Sequence, residues 1–252
     1  MHPISSSSTV NLSRSKIGII TGSGPEAGID LWAKLLHANR EIHGAQFRGD
    51  LDAPNVTILS EPALGLSMEL DLHDAAVWEC LRNAASAIAQ RVDYYAIACN
   101  TLNHYQLRLD ALGLPAKLVS FADVVVDYLK QSDTQRVALL GARPVTDLGE
   151  WSHYRKLAAH VQVEPLKAVQ AAQLHQLIYD VKTYGGAAPQ IRDKFRALLD
   201  GLEARTVLLA CTELPLIQMQ PDDMADKHLV DVTALVARKL AQLANQAPAP
   251  TA

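Results

Sequence analysis

Asp93–Thr101 reads DYYAIACNT and Thr206–Glu213 reads TVLLACTE, two short apolar runs that each end in a cysteine followed by polar residues. A brief aliphatic run bounded by polar residues, with helical stretches around it, is the pattern of a strand buried in a parallel sheet. Helical stretches stand in the right places. Asp71–Arg91 sets Val77, Leu81, Ala84 and Ile88 on one face before the first run, and Pro189–Leu202 precedes the second. Further upstream, Ile17–Ile20 is closed by Gly22-Ser23-Gly24, and Pro25 suits the first turn of a helix reaching about His43. Arg136–Leu140 is closed by Gly141-Ala142-Arg143-Pro144 and followed by a helix through Trp151–Leu157. A strand near Asn55–Leu59 and helices over Val169–Tyr184 and Val232–Leu243 complete the alternation, which predicts an α/β fold.

The two halves match. Strand and glycine turn begin at Ile17 and again at Val137, 120 residues on; strand and cysteine recur from Cys99 to Cys211, 112 residues on. Two pseudosymmetric lobes are expected, each a parallel sheet flanked by helices, with the active cleft between them. The predicted division is 16–115 plus 228–245 for lobe 1 and 116–227 for lobe 2. Residues 1–15, with their run of four serines, read as a disordered arm, and 246–252 as a frayed tail. Ligands of open α/β sheets bind beyond the carboxyl ends of the strands, so facing lobes would bring Cys99 and Cys211 to opposite walls of one cleft.

Composition narrows the class. At 252 residues and 49% hydrophobic, the chain buries enough surface to fold without staples, and its three scattered cysteines make no disulfide framework. That cysteine usage points to a reducing, cytoplasmic setting. A net charge of −4 gives no basic footprint for nucleic acid. No run approaches the length of a membrane span. The nine histidines lack metal-ligand spacing, so no metal is expected. Gly22–Gly28 is GxGxxxG with a proline inside it, a poor match to a dinucleotide fingerprint. It reads as a tight turn or as an anion-holding turn of the cleft.

Cys80 sits on the apolar face of the Asp71–Arg91 helix and reads as structural. Cys99 and Cys211 each precede polar residues at a predicted helix N-terminus, where partial positive charge favours a thiolate. Two thiols on opposite faces of a small substrate suit inversion of a stereogenic carbon: one removes a proton, the other returns one. Ser23, Asn100, Thr101 and Thr212 supply donors for a carboxylate; His104, five residues after Cys99, reads as a residue of a helix face or as one that tunes that thiol.

At these residues the chain resembles the cofactor-independent aspartate/glutamate racemases, in their aspartate racemase-like branch. Ile17–Leu36 is similar to that family's first strand, turn and helix, Cys99-Asn100-Thr101 to its first catalytic motif, and Leu209–Pro215 to its second. Arg48–Pro54, RGDLDAP, is similar to a loop of the same branch. The resemblance implies Cys99 and Cys211 as acid/base thiols, with Ser23, Asn100, Thr101, Thr212 and Glu213 binding substrate. Arg48 and Lys182 are the candidates for a distal carboxylate. It further implies a PLP-independent isomerase without cofactor, acting as a homodimer on aspartate, glutamate or a related small amino acid. A decarboxylase or cis–trans isomerase of small dicarboxylates, or a non-catalytic anion-binding module, is the alternative. The chain departs from the branch at Ser23, where Met is usual, at Gly65-Leu66-Ser67, where Asp-Arg-Thr is usual, at His104, one residue late, and at Gly141-Ala142, where Gly-Thr is usual.

Overall fold

The computed structural model describes residues 14–220, 224 and 226–248. β1 (Ile17–Thr21) leads through the glycine turn into α1 (Pro25–His43), β2 (Val56–Ser60), α2 (Leu70–Ala89), β3 (Tyr94–Ile97), α3 (Gln106–Asp110) and β4 (Lys117–Leu118). The four strands form one parallel sheet in the order β2-β1-β3-β4. α4 (Phe121–Gln131) crosses to a second set: β5 (Arg136–Leu140), α5 (Arg143–Thr146), β6 (Gln162–Glu164), α6 (Ala168–Tyr184), α7 (Pro189–Asp200), β7 (Thr206–Leu209) and β8 (His228–Asp231). Its sheet is also parallel, in the corresponding order β6-β5-β7-β8. α8 (Val232–Ala244) returns and packs along α1 and α4. The structure therefore has the expected two lobes of parallel sheet flanked by helices.

Strand alternation explains how one chain fills three cores. Ile17, Ile19, Ala96 and Ala98 of the first lobe and Val137, Leu139, Leu208 and Ala210 of the second belong to one apolar cluster with α1, α4 and α8. The opposite register points outward. Ile20, Tyr95 and Ile97 meet α2, while Ala138, Leu140, Val207 and Leu209 meet α6 and α7. Cys99 and Cys211 each lie two residues past the end of β3 and β7 and continue this outward register into the two outer clusters. Gly28 is a place where glycine is required: a Cβ there would stand 2.3 Å from Thr21 Oγ1, so the first turns of α1 sit directly on β1.

Four expectations are corrected. Lys117–Leu118 pairs with Tyr94 and Tyr95 and stays in the first sheet, while His228–Asp231 pairs with β7 in the second. The chain thus changes lobes at α4 and α8, a few residues beyond the predicted 115/116 and 227/228 boundaries. Arg14 and Ser15 of the predicted arm are tied down. Both the Ser15 amide and its hydroxyl donate to Gln246 O, at 2.9 and 3.1 Å, and Arg14 donates to Asp52 O at 3.0 Å. That contact also anchors Gln246, the first residue of the predicted tail; residues 1–13 and 249–252 lie outside the described residues. The helix expected through Trp151–Leu157 is a 3-10 segment over His153–Ala159, started by Ser152, whose Oγ accepts from Tyr154 N and donates to Val145 O. Among the described residues, no helix is long and apolar enough to cross a membrane.

Candidate active site

The two cysteines stand at equivalent places, at the carboxyl ends of the inner strands β3 and β7, where each lobe's sheet faces the other. The helix N-termini expected after them are short. Thr101–Tyr105 and Leu214–Leu216 are 3-10 turns of five and three residues, so few peptide dipoles align behind either thiol. Positive charge comes instead from a side chain. Lys182, in the last turn of α6, reaches across the cleft and donates to Ser23 O at 3.2 Å and to Glu213 Oε1 at 2.5 Å. Ser23 and Glu213 are in turn the hydrogen-bond neighbours of Cys99 and Cys211. Burial works against that charge, but Glu213 and the two thiols outweigh it and hold Lys182 above its ordinary value.

Glu213 is the partner of Cys211. The thiol donates to Glu213 Oε2 at 2.9 Å, and Thr212 Oγ1 lies 3.3 Å from the same oxygen. Burial pushes the Cys211 thiol well up, and the adjacent carboxylate pushes it further by charge and by accepting its proton. Cys211 therefore rests as a thiol. On the other wall, Cys99 Sγ lies 3.4 Å from Ser23 Oγ and 3.6 Å from Ser67 Oγ, and the two serine hydroxyls are 2.8 Å apart. The turn that presents Ser23 depends on Gly24, whose φ of +100° favours glycine and whose missing Cβ would stand 2.3 Å from Glu213 Oε1.

Several hydrogen bonds stitch the walls together. Thr212 Oγ1 donates to Ala98 O at 3.4 Å, and Tyr154 Oη donates to Asn100 Oδ1 at 2.5 Å. Burial, with the nearby Cys211, pushes the Tyr154 hydroxyl well up, so it stays a donor. With Asn100 Oδ1 fixed, its amide nitrogen is left buried without a protein partner. Such an orphan donor is costly to leave unmade and matches an incoming carboxylate. Asn103 supports Cys99 from below: its Nδ2 donates to Cys99 O at 2.9 Å while its Oδ1 accepts from Phe121 N.

Eight of the nine predicted site residues converge here: Ser23, Cys99, Asn100, Thr101, Lys182, Cys211, Thr212 and Glu213, with Thr101 buried at the head of its 3-10 turn. Arg48 does not. It follows the C-terminal end of α1, and α1 runs back from the glycine turn toward the amino ends of the strands. There its guanidinium holds Asp52 at 2.7 Å and drives that carboxyl well below the usual range. His104 turns its ring to Tyr105 and Trp151, at centroid distances of 5.1 and 5.0 Å, whereas Cys99 faces Ser23 and Ser67. Cys80 is half-buried against the outer cluster of lobe 1. Sequence reasoning gave no role to Ser67, Asn103 or Tyr154. Ser67 stands between Leu66 and Met68, whereas Asn103 and Tyr154 stand among polar neighbours, and all three become informative only once their burial is known. Among the described residues, no group of three or more His, Cys, Asp or Glu is placed to hold a metal ion.

A two-lobed α/β protein with a thiol at the carboxyl end of the corresponding inner strand of each lobe is the class that fold and site define. The chain belongs to the Asp/Glu/hydantoin racemase family, whose sequence profile matches residues 20–240. Its fold is similar to that of an aspartate racemase homologue from Pyrococcus horikoshii, at 23% identity and a TM-score of 0.73, covering 92% of this chain and 100% of that one. Aspartate racemase from Picrophilus torridus is similar at 21% identity and a TM-score of 0.73, with 90% and 94% covered. Glutamate racemase from Campylobacter jejuni follows at 15% identity and a TM-score of 0.64, with 93% and 88% covered. Comparison with curated proteins gave no match.

Proposed function

We propose that this protein is a cofactor-independent amino-acid racemase in which Cys99 and Cys211 are the acid/base pair. One observation carries the reading: the two thiols end equivalent strands of facing lobes, and one set of contacts, Ser23–Lys182–Glu213, connects them. In this reading the substrate's α-carboxylate is met by Asn100 Nδ2, the hydroxyls of Ser23, Thr101 and Thr212, and Lys182. Its α-ammonium faces Glu213.

Cys99 as thiolate takes the α-proton from one face: the C–H bond breaks and an S–H bond forms. The electron pair left on carbon spreads into the carboxylate, where fixed donors lower the barrier because they need no reorganisation as charge develops. Cys211, held as a thiol, delivers its proton to the opposite face, so a C–H bond forms with inverted configuration. The forward step leaves Cys99 as thiol and Cys211 as thiolate, and the reverse direction begins from that state and runs through the same two transfers. Lys182, whose contacts Ser23 and Glu213 are the neighbours of the two thiols, stabilises whichever sulfur is ionised.

The test is incubation of single enantiomers of protein amino acids in D₂O, followed by proton NMR and polarimetry. Deuterium at the α-carbon with loss of optical rotation is the expected result. Exchange with none of them overturns the proposal, and release of CO₂ in its place assigns a decarboxylase.

A further inference from the structure

A cavity of about 360 Å³ opens beside Lys182 and Glu213, between the glycine turn of the first lobe and α6 of the second. Pro25, Ala27, Gly65, Met68 and Val181 give it an apolar wall. Glu213 both lines this cavity and receives the Cys211 thiol, so the space adjoins the place where the α-carbon must sit.

Charge decides what fits there. Among the described lining residues, Lys182 is the one cation, and Glu213 and Glu26 are the carboxylates. Lys182 and Glu213 form an ion pair at 2.5 Å, the complement of one zwitterion: lysine for the α-carboxylate, glutamate for the α-ammonium. With Lys182 engaged by the α-carboxylate, and not by the distal carboxylate that the sequence likeness implies for it, no other cation among the described lining residues is left for a second carboxylate. Arg143 and the His175 ring, on the same side, both face Glu69, at 3.3 Å. Glu26, exposed in the first turn of α1, adds further negative potential at the rim. A side-chain carboxylate in this cavity would lie against an apolar wall, beside the carboxylates of Glu213 and Glu26 and with no cation of its own, which binding sites avoid. An aliphatic or thioether side chain gains contact with the same wall and leaves no group unpaired.

We infer that the cavity is the side-chain pocket and that the preferred substrates are amino acids with uncharged apolar side chains, methionine and leucine among them, in preference to aspartate and glutamate. This rests on the racemase reading. The experiment compares α-proton exchange in D₂O for L-methionine, L-leucine, L-aspartate and L-glutamate, as kcat/KM from proton NMR. The apolar pair is expected to exceed the acidic pair by about tenfold or more, the scale on which a single apolar contact discriminates. Faster exchange of aspartate or glutamate overturns the inference and leaves the racemase reading standing; exchange of none of the four overturns the inference as well. A second arm uses Gly65→Arg, since a Cβ at Gly65 meets nothing within 4 Å and the new guanidinium stands at the pocket. The aspartate-to-methionine ratio is expected to rise by about tenfold in the variant, whose fold circular dichroism checks. An unchanged ratio in the folded variant removes the cavity as the side-chain pocket.

Discussion

Replacing Glu213 by Gln keeps the shape of the side chain and removes its charge, which separates the electrostatic role of Glu213 from its packing. In the native protein Glu213 accepts from Cys211 at 2.9 Å and from Lys182 at 2.5 Å while almost fully buried. A unit charge at about 4 Å contributes roughly 4 kcal/mol at an effective dielectric of about 20, or about 3 pH units on a neighbouring group. The Gln oxygen still accepts a hydrogen bond, so the expected fall in the Cys211 midpoint is about 2 pH units. Unpairing Lys182 acts in the same direction, because an unmatched cation favours the thiolate. The same change breaks a largely buried ion pair, with an expected stability loss of about 3 kcal/mol. In a Cys80→Ala, Cys99→Ala background Cys211 is the sole thiol, and its alkylation by iodoacetamide as a function of pH reports the midpoint directly. A midpoint that stays in place or rises on Glu213→Gln would refute the argument that the carboxylate keeps Cys211 protonated.

Three further outcomes follow from the geometry. Arg48→Ala is expected to leave turnover unchanged. Asp52 is depressed by Arg48, so the stability the pair contributes is present above the ordinary carboxylate range and lost as pH falls; urea melts of wild type and variant should therefore differ at pH 7 and converge in acid. His153 is buried with neither ring nitrogen partnered, and burial holds it well below its ordinary 6.5, so the native state keeps it neutral. Stability should fall as pH drops below about 6.5, and His153→Phe should flatten that dependence in thermal melts between pH 7 and 5. Cys80→Ala, at a half-buried site in α2, is expected to cost about 1 kcal/mol and leave turnover intact, checked by melts and by exchange in D₂O.

The parts of the fold that read most directly from sequence are those whose signal is local. β1, β3, β5 and β7 are mostly apolar runs because they are inner strands covered on both faces, and the sequence pattern places each within a residue or two. β4 and β8 are edge strands of two and four residues, KL and HLVD, too short and mixed to stand out before their neighbours are known. α4 is different: Ser120 caps it and Phe121, Val125 and Leu129 lie along one face, so its signal is present in the sequence although no strand of more than two residues leads into it. In the site, the residues carried by the cysteine motifs and the glycine turn were legible because each is covalently tied to a strand end. Arg48 lies outside the site because it follows the C-terminal end of the 19-residue α1, a position that the predicted helix bounds already imply and that the likeness of its loop sequence does not reveal. Lys182 and Glu213 were separate candidates; their ion pair depends on packing α6 against the glycine turn, which only the tertiary structure shows.

The central claim is that Cys99 and Cys211 act on opposite faces of one carbon, and exchange by the single variants tests it most directly. Cys99→Ala and Cys211→Ala would each be incubated with each enantiomer of an amino acid the wild type turns over, in D₂O, with α-deuteration and chirality followed separately. Neither variant should racemise. Each should still exchange the α-proton of one enantiomer with retention, and the two variants should select opposite enantiomers, because the remaining thiol reaches only its own face. Racemisation at the wild-type rate by either folded variant, or retention of the same enantiomer by both, would contradict the two-thiol account.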